Sequence, residues 1–232
     1  MKYVSTAALI ASLLAGQSFA AEVTGGDIQL RYSTFTGDDL DYDATSISGS
    51  VEVGFTKQFS VQGDIGFRFF DNDIDSNYLT LHGIGHVSDA TSVGLFVGRE
   101  EFEGFGETVY GAEVGHEFGS LSGEAYVALS EIEGADVTLL GISADYAVTE
   151  AFKLGVAYHN VDLEGFDASR IALRGEYGMG GFSVTGEIGS GELDQSLGGG
   201  SETFIGIGLK TTFGASRGST FERRSLFELF PG

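Results

Sequence analysis

The sequence predicts an all-β fold, a transmembrane antiparallel up-and-down barrel of about twelve strands. Three features of the chain lead to it. Segments of about ten residues, the length a tilted strand needs to cross a bilayer, alternate apolar and polar side chains almost throughout. The connections between these segments alternate between short and long. One of the two alternating faces is nearly free of charge and gathers its aromatic residues at two levels.

Residues 1–20 read as a secretory signal peptide, with Lys2 as the charged start, an apolar stretch from Ala7 to Leu14, and small Ser18 and Ala20 before the cut. They stand outside the fold. Without Lys2 the formal charge of −22 becomes −22 − 1 = −23. No later run of eighteen apolar residues exists, so the chain has no transmembrane helix. An exported chain without cysteine forgoes disulfides where they are permitted. The acidic excess excludes nucleic acid as a partner, since phosphate contacts need clustered Lys and Arg, and it disfavours binding to anionic lipid through a basic face.

The first strand is centred on 27–34, with Ile28, Leu30 and Tyr32 on one face and Asp27, Gln29 and Arg31 on the other. Eleven more are expected at 46–55, 59–70, 78–87, 91–100, 108–118, 121–129, 137–147, 151–159, 169–178, 181–189 and 203–213. Short connections fall at 56–58, 88–90, 119–120, 148–150 and 179–180. Long ones fall at 35–45, 71–77, 101–107, 130–136, 160–168 and 190–202. Tight turns at one end and longer loops at the other suit a barrel with both strand termini on the periplasmic side. The long loops carry Asp38, Asp39, Asp41, Asp43, Asp71, Asp73, Asp75, Glu101, Glu103 and Glu107, which makes that end strongly negative.

A soluble sandwich would also alternate. What favours lipid is the apolar face, whose ionisable residues are Arg99 and His116, both near strand ends where they can snorkel. On that face Phe55, Phe59, Phe118, Tyr146, Phe152, Tyr177, Phe182 and Phe213 meet the short turns. Tyr32, Phe67, Phe69, Tyr110 and Tyr158 lie toward the other end, as in the aromatic girdles of a membrane barrel. The polar face is rich in glycine, including Gly54, Gly66, Gly94, Gly98, Gly111, Gly115, Gly141, Gly155, Gly206 and Gly208. Glycine gives a solvent face nothing, but it leaves space inside a closed barrel.

With these features residues 21–213 resemble Gram-negative outer-membrane β-barrels of a small porin type. The last strand, Ile205 through Phe213, is similar to the alternating, aromatic-ended signal read by the barrel insertion machinery, although residues 214–232 follow it here. The resemblance implies outer-membrane lipid and lipopolysaccharide as surroundings, and passive diffusion of ions and small polar solutes as the activity.

If the polar face points inward, the lumen carries the acids Asp27, Glu52, Asp64, Glu100, Glu113, Glu117, Glu124, Asp145, Glu176 and Glu187. Its bases are Arg31, Arg68, Lys153, Arg170, Arg174 and Lys210. Glu100, Glu113, Glu117, Glu124 and Asp145 fall on consecutive strands without a base, while Lys153, Arg170, Arg174, Lys210 and Arg31 come from strands that closure places roughly opposite. Facing walls of opposite sign give a transverse field that favours polar solutes, and ten acids against six bases favour cations. Alternatively these charges pair locally, Asp64 with Arg68 and Glu176 with Arg174, and fill a closed interior. The tail, residues 214–232, holds Arg217, Arg223, Arg224, Leu226, Phe227, Leu229 and Phe230. Its arginines could enter the lumen as a plug or meet a periplasmic partner; a mobile tail is the plainer reading.

Catalysis finds little support. His82, His86 and His159 fall on the inward phase, and His116 alone faces lipid, with no outward serine near it for a lipid hydrolase. His82 and His86 stand about 13 Å apart along one strand and cannot share a metal. The run Asp71–Asp75 opens like a calcium loop but has Ser76 and His82 at the diagnostic positions. Neither cofactor nor metal is expected. The readings in order are a mildly cation-preferring diffusion channel, a non-conducting surface barrel that binds a partner, divalent cations or lipopolysaccharide through its acidic loops, and an outer-membrane hydrolase. Gly83, Gly85, Ala112 and Gly123 form an outward stripe that would suit a homotrimer contact or ordinary lipid face equally.

Overall fold

A computed structural model describes residues 21–37, 43–71, 75–102, 104–132, 134–163, 166–193, 200–215 and 218–226. The expected leader over residues 1–20 lies outside these, as do Asp38, Asp39, Asp41, Asp73, Glu103, Arg217, Phe227, Leu229 and Phe230. Twelve strands form one closed antiparallel barrel: β1 (Glu22–Phe35), β2 (Asp43–Gly54), β3 (Phe59–Phe70), β4 (Asp75–His86), β5 (Thr91–Phe102), β6 (Phe105–Phe118), β7 (Leu121–Ile132), β8 (Ala135–Ala147), β9 (Phe152–Leu163), β10 (Phe166–Gly178), β11 (Ser183–Leu193) and β12 (Ser201–Gly214). Each strand pairs with its neighbours in sequence, and β1 closes on β12 from Gly25 opposite Gly214 to Phe35 opposite Phe204.

Burial is inverted relative to a water-soluble domain. Leu95 is 69% exposed on the outside of β5, while Glu100 on the inward phase of the same strand is 2% exposed. A barrel with this arrangement is stable only where its outside meets hydrocarbon. The two aromatic levels stand on that outer surface, with Phe59, Phe118, Tyr146, Tyr177, Phe182 and Phe213 toward the short turns and Tyr32, Phe67, Phe69, Tyr110 and Tyr158 toward the other end. Leu95→Arg, near the middle of β5, is expected to lower the unfolding free energy by about 2–4 kcal/mol in lipid. Urea unfolding in vesicles, followed by gel mobility of the folded barrel, measures it.

The short turns stand as the sequence predicts, but the opposite ends differ. Strands run farther than expected, so the loops anticipated at 101–107 and 130–136 give way to strand pairing that reaches Phe102 opposite Phe105 and Ile132 opposite Ala135. Gly104 and Gly134, each just before the returning strand, have φ of 86° and 88°, a conformation that side chains disfavour. Backbone hydrogen bonding continues to the hairpin ends because pairing satisfies the amides better than an open loop does.

Candidate channel interior

Every expected lumen residue within the strands lies on the inward phase. Glu52, Asp64, Arg68, Glu100, Glu113 and Arg170 are buried; Arg31, Glu124, Asp145, Lys153, Arg174, Glu176, Glu187 and Lys210 are half-buried; Glu117 is exposed at the short-turn rim.

Their partners differ from the local pairs that the sequence suggested. Asp64 accepts from Gln62 (2.9 Å) and faces His82 Nε2 (2.8 Å) rather than Arg68. Arg174 donates to Asp145 (2.9 Å), whereas Glu176 meets Lys210 at 3.6 Å. Asp145, Gly155 and Arg174 share one rung across β8, β9 and β10, and the missing side chain at Gly155 lets the outer two meet over it. Glu187 likewise takes Arg31 (2.6 Å) and Arg170 together. Salt links thus reach over a glycine strand, which neighbour-by-neighbour reading does not anticipate.

His82 is the hub of the β3–β6 wall. Its two ring nitrogens face Asp64 (2.8 Å) and Glu113 (2.7 Å), and all three side chains are fully buried. Both nitrogens must donate if both carboxylates are to remain ionised. Nearby, His86 meets Ser60 (3.0 Å) and Ser92 (2.9 Å).

The interior glycines do not leave open space. Gly66, Gly111, Gly141 and Gly189 stand directly across the ladder from Tyr78, Phe96, Tyr126 and Phe204. A Cβ at any of them would strike the facing ring. Phe96, Tyr126, Val109, Ala128, Val137 and Leu139 form an inward apolar cluster. The sequence carries its signal, since these residues interrupt the polar phase.

The tail departs from the plainer reading of a mobile segment and follows the alternative in which its arginines enter the lumen. Residues 218–226 lie inside the barrel rather than mobile below it. Gly214 (φ 72°) and Gly218 (φ 85°) reverse the chain at the short-turn end, where Ala215 N–H donates to Thr24 C=O (2.8 Å). Gly25 has no side chain to obstruct Gly218. The segment then climbs the wall. Thr220 N–H donates to Glu52 (2.7 Å) and Phe221 N–H to Gln62 (3.1 Å). Glu222 N–H donates to Glu124 (3.0 Å), and Leu226 N–H and the Ser225 hydroxyl both donate to Glu100 (2.6 and 2.8 Å). Arg224 binds Glu113 (3.0 Å) and Glu124, and its guanidinium lies 4.2 Å over the Tyr126 ring. Arg223 binds Asp27 and Gln29 (2.5 Å), and Glu222 accepts from Arg174 (2.6 Å). The acidic wall therefore has its bases after all, on the tail.

Beside the tail a polar cavity of about 950 Å3 remains. It runs from Lys57, Asp89 and Ser120 in the short turns up to Arg68, Tyr78 and Arg170, with Lys153, Glu176 and Lys210 along it. On the outside, His116 meets the Thr91 hydroxyl (2.9 Å) and stands opposite Gly123, so the register places no serine at that spot. Among the described residues there is no group of three or more His, Cys, Asp or Glu able to hold a metal.

No family model matches the chain, and no curated protein matches it in sequence. Solved structures match in fold. The KdgM porin superposes with a TM-score of 0.59 at 12% identity, over 81% of this chain and 99% of its own. The NanC porin gives 0.61 at 12%, over 79% and 98%. An outer-membrane channel of Pseudomonas putida gives 0.59 at 11%, over 85% and 98%. KdgM is also known in complex with disordered oligogalacturonate. The fold is that of a small outer-membrane β-barrel of the porin type.

Proposed function

We propose that this protein is an outer-membrane channel, exported by its leader, through which ions and small polar solutes diffuse passively with a modest preference for cations. The observation that carries the proposal is the polar, charge-lined cavity of about 950 Å3 enclosed by a barrel whose outer surface is apolar. The likeness to porins and channels supports a channel at the level of fold; the oligogalacturonate named with KdgM is polar but anionic, so it supports a polar solute and not the cation preference. Formal charges give the cation preference. The ten acids and six bases of the strands sum to −4, and Glu222, Arg223 and Arg224 of the tail add +1, leaving −3. Fixed charge of one sign along a narrow aqueous path raises the local concentration of the opposite ion.

A non-conducting barrel is the second reading, favoured by the way the tail saturates one wall. Single-channel recording of the full chain in a planar bilayer under a salt gradient separates them. Discrete steps with a cation-biased reversal potential are expected. Silence at all voltages refutes the channel. Glu117→Gln with Glu176→Gln is expected to reduce the cation-to-anion permeability ratio roughly twofold. Glu113 and Glu124 are poorer choices because they hold the tail.

A further inference from the structure

The wall that holds the tail reads a peptide backbone as well as side chains. Four acceptors on four strands, Glu52, Gln62, Glu124 and Glu100, take the N–H groups of Thr220, Phe221, Glu222 and Leu226. Two donors return: Gln62 Nε2 to Phe221 C=O (2.9 Å) and the Thr80 hydroxyl to Arg224 C=O (3.0 Å). The Gln62 carboxamide thus both accepts from and donates to one residue, as a neighbouring strand would. It is fully buried. Specificity comes from side chains. The Phe221 ring is 1% exposed, stacks on His82 at 6.5 Å between ring centres, and occupies a niche whose floor is glycine. A Cβ at Gly94 would lie 2.8 Å from the ring, and one at Gly115 3.3 Å. Three residues on, Arg224 lies between Glu113 and Glu124.

Backbone recognition for affinity and side-chain pockets for selectivity are the two parts of a peptide-binding site. We infer that the β2–β7 wall is such a site, that it takes extended peptides with an aromatic residue three positions before an arginine, and that residues 218–226 are its tethered ligand. The site is defined by occupancy and geometry, so it does not depend on whether the barrel conducts. A tether of this length gives an effective concentration of order 1 mM. A free peptide with a dissociation constant of about 10 µM for the vacant wall would therefore see the occupied wall roughly a hundredfold more weakly.

The test uses the full chain carrying Phe221→Ala and Arg224→Ala, whose weakened tail leaves the wall available. The probe is a fluorescent peptide of residues 214–232 with the natural sequence. Fluorescence anisotropy in detergent is expected to show saturable binding to this variant, at least tenfold weaker binding to the unsubstituted protein, and none for a peptide lacking Arg223 and Arg224. Equal binding to both proteins, or to neither, overturns the inference. A second measurement guards against a variant that does not fold. The chain has no cysteine, so Ser225→Cys introduces a unique thiol. In an otherwise unchanged chain it should react with a maleimide at least tenfold more slowly than Ser88→Cys in a short turn; equal rates overturn the inference. Peptide binding without conductance would remove the channel reading and leave the site standing.

Discussion

His82→Leu is expected to destabilise the barrel by about 3–5 kcal/mol, because it strands two buried carboxylates, Asp64 and Glu113, that now share one imidazole. The loss exceeds that of a comparable cavity, since leucine fills much of the ring's volume and the cost is electrostatic. Relief should come from the partners: adding Asp64→Asn and Glu113→Gln to His82→Leu is expected to recover most of it, in a strongly non-additive cycle. Chemical unfolding of the natural chain, His82→Leu, the Asp64→Asn/Glu113→Gln double variant and the triple variant in one lipid measures the effect. Additive losses would mean that the triad contributes packing alone. Phe221 stacks on the same ring, so the tail should also loosen in the single variant.

Removing residues 215–232 is expected to raise single-channel conductance severalfold and to strengthen the cation preference. The deletion empties the lumen beside the remaining cavity and returns Glu52, Glu100, Glu113 and Glu124 to water. Their formal sum with the other lumen charges moves from −3 back to −4. Stability should fall less than in Arg224→Ala. Deletion lets water reach the carboxylates, whereas the point substitution keeps them buried under a tail that no longer neutralises them. Conductance unchanged by the deletion would place the ion path entirely along the β9–β12 side.

The strand number, the inward and outward phases, the aromatic levels and the short turns were legible because each is local. A period of two and a two-residue turn depend only on neighbours in sequence. Strand ends were less legible, since no alternation in burial marks them; residues 101–107 read as an acidic loop, whereas Glu101 and Phe102 pair with Gly106 and Phe105. Lumen residues could be named but not paired. Arg174 finds Asp145 across an intervening strand, a relation fixed by the register of β8, β9 and β10 together. The tail was hardest. Its alternation stops, its charge is opposite to the wall it joins, and its route depends on Gly25 at the other end of the chain.

The pairing of interior glycines with rings bears on how such a lumen can evolve. Alanine at Gly141 would collide with Tyr126, and a small residue at Tyr126 would leave Gly141 facing a void, so either change alone is penalised. Exchanging the two across the rung preserves the summed volume while moving the ring to the adjoining strand. The bore can therefore drift sideways by coupled swaps far more readily than it can widen by single steps, and descendants of this barrel should differ in where the lumen is pinched before they differ in how much.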